Sequence, residues 1–153
     1  MRNIEQRLEK LYKFIEDADK VNTSVSSANV RWHIEHSLLV IIKIISALTD
    51  SDPAQYKWKF NLARAIVFTI NKFPRGKGKA PDAVNPKQTE KTDFDALFSI
   101  TREKIEELKK ADPNKFYDHN IFGVLNKNNT FILLDIHTKH HIQIIEDVIS
   151  SFY

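Results

Sequence analysis

TFILLDIHTKHHIQIIEDVISS, residues 130–151, carries the reading of this chain. Leu133, His137, His141, Ile144 and Val148 recur at three- and four-residue intervals, the spacing of one face of an α-helix. Leu134, Ile145 and Phe152 flank that stripe. Two histidines therefore stand in the middle of the face that must meet the rest of the protein. At i and i+4 they stack one turn apart, a chelating geometry. His140 lies at the edge of the stripe. A buried imidazole has two ring nitrogens to satisfy, and the neighbouring leucines and isoleucines offer no partner. A lone core histidine usually finds a hydrogen bond. Two stacked ones point to a metal ion, with solvation at a wet bundle mouth as the alternative.

Working outward, the other histidines sort themselves. His33 and His36 lie in WHIEHSL, on a helix expected over about residues 28–48; only His119 is elsewhere. On that helix Ile34, Leu38, Ile41, Ile45 and Leu48 form one stripe. Val40, Ile42 and Ile44 widen it until little polar surface is left, the mark of a helix buried against several neighbours. Bundle cores build metal sites from facing helices in this way. Imidazole and water suit zinc, nickel, iron or manganese. Three histidines leave a position open to water or substrate, the catalytic rather than the structural arrangement.

The remaining elements complete the scaffold. Ile4, Leu8, Leu11 and Ile15 predict a helix over 3–20, and the serines of a polar turn at 22–27 can cap the second helix. Asp52-Pro53 reads as a cap and first-turn proline opening a third helix over about 53–72. Residues 74–91, PRGKGKAPDAVNPKQTEK, have the composition of a long loop. Thr92 and Asp95 resemble a capping box for a helix to about Ala111. Residues 112–127 read as irregular, and Asn128 or Asn129 as the cap of the last helix, about 130–151. No strand pattern stands out. The expectation is an all-α, up-and-down four-helix bundle with one additional helix and long crossover loops, a single domain over 1–153.

Composition narrows the chemistry. There is no cysteine, so disulfides, zinc–thiolate sites and a cysteine nucleophile are excluded. Three glycines argue against glycine-rich nucleotide loops. The charged N-terminal stretch lacks a signal-peptide pattern, and the apolar run Leu38–Ile45, broken by Lys43, is too short to span a bilayer. A cytoplasmic protein with no membrane partner is expected. Between Lys57 and Lys91 nine basic residues face two acids, a balance of +7, while the rest of the chain carries −4. Such a segment attracts anions; a solvated loop is the simpler reading. Lys57-Trp58-Lys59-Phe60 interleaves basic and aromatic residues, as single-stranded nucleic-acid sites do. Nucleic acid is nevertheless not expected, because no reading motif is present and a packed third helix makes exposure of both aromatics costly. No residue stands out as a general acid or base: Tyr117, Asp118 and His119 are equivalent candidates.

These residues resemble the DinB-like superfamily of metal-binding four-helix bundles, whose members include bacillithiol transferases and mycothiol-dependent maleylpyruvate isomerase. The family pattern, one histidine on the second helix and an H-x-x-x-H pair on a later one, matches His36 and His137/His141. KFNLARAIVFTINKFPRGKGKAP and FGVLNK…IHTKHH are similar to an uncharacterised DinB-related subfamily, and the resemblance covers nearly the whole chain. Many members continue the pair as His-Arg-Gly-Gln, where this chain has Ile142-Gln143 after His141. The resemblance implies a divalent metal on His36, His137 and His141, with His33 and His140 as substitutes or supporting groups. Glu35 and Asp135 could orient an imidazole, although solvated positions are the simpler reading. It further implies a thiol-dependent S-transferase or a hydrolase acting on a small electrophilic molecule, a low-molecular-weight thiol as cofactor, and pairing into a homodimer. A non-catalytic metal-binding or stress-response module is the alternative.

Overall fold

The computed structural model describes residues 2–75, 80–86 and 92–153. Among them are five α-helices and one two-stranded sheet, a mainly α fold. Helix α1 (Arg2–Lys13) buries Ile4, Leu8 and Leu11 and tightens into a 3-10 turn at Phe14–Asp17, short of the expected residue 20. Helix α2 (Val30–Asp50) is capped by Asn29, whose side chain accepts from the Trp32 amide. Its predicted stripe is wholly buried. It packs on α4 (Phe94–Lys110) and α5 (Lys127–Ser150), while α1 packs on α5. Among the described residues α2 alone is long and apolar enough to cross a membrane, yet 56% of that stretch is buried, as in a core helix.

Local chemistry moves several boundaries. Asp93, not Thr92, caps α4, its carboxylate accepting from the Ala96 amide at 3.0 Å. Thr92 instead donates to the Glu35 carboxylate at 2.8 Å, and Asp95 accepts from Tyr12. Asn126, ahead of the expected Asn128 or Asn129, caps α5. Phe152, expected to flank the core, is half exposed, because α5 has ended at Ser150.

The third helix is shorter than expected. Asp52 and Pro53 open only a 3-10 turn (Pro53–Gln55), residues 56–61 leave helical geometry, and α3 runs Leu62–Ile70 with Asn61 as its cap. Asn61 also donates to the Ile121 carbonyl at 3.0 Å, tying α3 to the next surprise. Residues 112–127, read as irregular, contain an antiparallel hairpin of β1 (Phe116–His119) and β2 (Gly123–Asn126). Four-residue strands are too short for a convincing alternation. Their anchor is the buried Arg64 of α3, which donates to the carbonyls of Lys59, Phe122 and Val124. The guanidinium replaces ladder neighbours that a two-stranded sheet lacks.

The expected loop 74–91 lies partly outside the described residues. Its described part is not merely solvated: Val84 and Pro86 are buried, and a 3-10 turn at Asp82–Val84 reaches α2.

Candidate metal centre

His36 leaves α2, and His137 and His141 leave α5, toward one point. One ring nitrogen from each lies within 4.8 Å of the others. The ring centroids are 5.2 Å apart for His36 and His137, 4.8 Å for His36 and His141, and 4.6 Å for the α5 pair. A tetrahedral ion with Zn–N bonds of about 2.0–2.1 Å sets its nitrogens about 3.4 Å apart, so the side chains need to close only modestly around one.

The partners of each ring decide which nitrogen can serve. Nδ1 of His36 donates to the Val84 carbonyl at 2.6 Å. A carbonyl can only accept, so the proton sits on Nδ1 and the lone pair on Nε2. The Trp32 indole stacks on the same ring at 4.7 Å and 9° and is held by its own bond to Asn85. Nδ1 of His141 lies 3.0 Å from Nδ1 of His33, and Nε2 of His33 lies 3.0 Å from the Ser26 hydroxyl. If His141 donates along this chain, its Nε2 is free as a lone pair. His137 differs: its Nδ1 is buried and has no hydrogen-bond partner among the described residues. An orphaned imidazole nitrogen beside two rings whose other nitrogens are committed fits an ion better than it fits a dry core.

Electrostatics agree. Burial pushes the His137 and His141 imidazoles well below the ordinary value, and neighbouring histidines add to it. Burial, then His36 and His140, takes His33 down to about 4. His36 is also lowered by burial, against the raising effect of the Val84 carbonyl. These rings are held neutral at pH 7, the form that binds metal.

The other expected residues separate. His33 stands behind His141 and outside the group of three. His140 faces Phe73 at 6.0 Å and is also outside it; burial and then Arg75 lower its pKa. Glu35 is engaged by Thr92 and Asp135 by Arg7, so neither orients an imidazole. Tyr117 packs against the core, Asp118 is exposed, and Nδ1 of His119 accepts from the amides of Ile121 and Phe122. The hairpin nevertheless reaches the centre through aromatic contacts: Phe122 lies 4.8 Å from His119 and 5.7 Å from Phe73, which meets His137 at 6.1 Å.

Ser26, Trp32, Val84 and Asn85 were not anticipated. Only Trp32 carried a signal, through its place beside His33 in WHIEH; the others come from loops.

Two open depressions, of about 380 and 280 Å³, lie elsewhere, at Asp19 and Phe152 and between Glu9 and Arg102, and gather no comparable chemistry. Comparison with protein-family models, curated proteins and solved structures gives no match to this chain.

Proposed function

We propose that the protein is a DinB-like metal protein in which α1, α2, α4 and α5 form the four-helix bundle and His36, His137 and His141 hold one divalent ion. We assign it to chemistry on a small electrophilic molecule, as an S-transferase using an external thiol or as a hydrolase. The observation that carries this reading is the convergence of one ring nitrogen each from His36, His137 and His141 to within 4.8 Å, with Nδ1 of His137 buried and unpartnered among the described residues. A bound ion supplies Lewis acidity, which turns a thiol or water into a nucleophile at neutral pH.

The chain's own contribution is positioning and exclusion. Val84 and the His33–Ser26 pair fix two of the imidazoles. Trp32 and Phe73 wall the group with apolar surface, and Phe122 backs Phe73. That His33 and His140 stay outside the group supports three protein ligands and an open position, and so a catalytic rather than a storage role. The absence of cysteine is compatible with an external thiol.

Cobalt(II) substitution tests the reading. Adding a small thiol or azide to the cobalt protein should change its visible absorption bands. Bands that ignore both ligands mean a closed site, and the non-catalytic module replaces the enzyme.

A further inference from the structure

Helix α3 is amphipathic the wrong way round. Its inward face carries Arg64 and Val67, while Leu62, Ile66 and Ile70, at four-residue spacing, are 63%, 50% and 59% exposed. Ala65 and Thr69 are exposed with them, and this face holds no charge. Just before α3, Trp58 and Phe60 are 64% and 68% exposed. An ordinary surface helix turns its polar side outward. Aromatic side chains of roughly 150–250 Å² each, two-thirds exposed, with three aliphatic ones close by in sequence, amount to on the order of 600 Å² of exposed apolar surface over one short stretch of chain.

Along this stretch of the sequence the charge has one sign. From residue 53 to 81 the sequence contains no acid. Arg64 is taken up by carbonyls and Arg75 by Asp147, but exposed Lys57, Lys59 and Lys72 make no ion pair among the described residues. Residues 76–79 and 87–91 carry no large apolar side chain that could cover the patch.

We propose that the 57–72 surface docks peripherally on an anionic lipid bilayer, with Trp58, Phe60, Leu62, Ile66 and Ile70 entering the interface and Lys57, Lys59 and Lys72 meeting the headgroups. Charge complementarity selects this occupant. Two copies of the chain packed antiparallel through α3 would bring Lys59 toward Lys72 of the partner, like against like. A single-stranded nucleic acid suits Lys57–Phe60 but offers nothing to an aliphatic face. Aromatic and aliphatic insertion combined with lysines is the pairing that holds proteins at anionic interfaces. This departs from the expectation of no membrane partner, which rested on the lack of a spanning segment; surface docking needs none. The inference is independent of the metal reading.

Co-sedimentation with vesicles tests it, comparing phosphatidylcholine alone with phosphatidylcholine mixed with phosphatidylglycerol. The wild-type protein should bind the mixed vesicles, weakly bind the neutral ones, and release in high salt. Ile66→Ser with Ile70→Ser, or Trp58→Ser with Phe60→Ser, should lower partitioning at least about tenfold. Lys57→Gln and Lys59→Gln should each lower it about fivefold. Circular dichroism on these exposed-site variants checks that the fold is kept. The proposal is overturned if the protein ignores mixed vesicles at low salt, or if the apolar variants bind them unchanged. It also falls if light scattering shows a dimer that Ile66→Ser with Ile70→Ser dissociates, or if an oligonucleotide binds more tightly than the vesicles do through Trp58 and Phe60.

Discussion

Two proton arrangements are open to the Ser26–His33–His141 chain, and only one leaves Nε2 of His141 as a lone pair. In that arrangement His33 accepts from His141 at Nδ1 and donates from Nε2 to Ser26, whose oxygen also accepts from the Ala28 amide. His33 is thus a positioning residue. His33→Ala should weaken metal binding about 10–100-fold without changing the number of ligands, and His33→Gln, which keeps an acceptor, should recover part of the loss. Chelator competition gives the affinity and X-ray absorption the coordination number; a lost ligand in His33→Ala would make His33 a direct donor instead. The legibility of the site divides along the same line. His36, His137 and His141 could be nominated from spacing and resemblance, because a helix fixes what lies one turn apart. Their hydrogen-bond partners could not, because Ser26 and Val84 come from loops whose course no periodicity encodes.

At the scale of elements, the long helices were legible and the short pieces were not. The stripes of α2 and α5 repeat over several turns, whereas the strands of the hairpin have four residues each and depend on Arg64, a residue from another element. Arg64→Met should therefore loosen the hairpin, destabilising the protein by about 2–4 kcal/mol in urea unfolding, because carbonyls at Val124 and Lys59 lose a buried charged donor. A loss under about 0.5 kcal/mol would mean that the hairpin stands without it. Caps offer a sharper comparison. Asp93→Ala should cost about 1 kcal/mol and Asp95→Ala clearly less, since Asp93 bonds the Ala96 amide while Asp95 meets only an exposed Tyr12. The capping box expected from Thr92 and Asp95 puts no comparable cost on Asp93, so the two variants decide between the cap in the structure and the one in the sequence.

For the whole molecule, the cluster of neutral histidines links stability to pH. The unfolded chain takes up protons near the ordinary value of 6.5, while burial holds His33 near 4 and His137 and His141 well below 6.5. The unfolded state then binds more protons, so stability falls as pH falls from about 6.5 toward 4. Metal-free protein should show its urea midpoint dropping through that window, and His137→Ala should flatten the drop; an unchanged slope would show that His137 is not held neutral by the fold. With metal the drop should steepen, because protonation of the ligands competes with the ion. The most direct measurement is the metal content of untagged protein by plasma mass spectrometry, for the wild type and for His137→Ala and His141→Ala, each checked for folding by circular dichroism. A three-histidine centre predicts near-stoichiometric zinc, nickel, iron or manganese in the wild type and its loss from both folded variants. A wild type that carries no metal, and after reconstitution binds it no better than the variants, would contradict it.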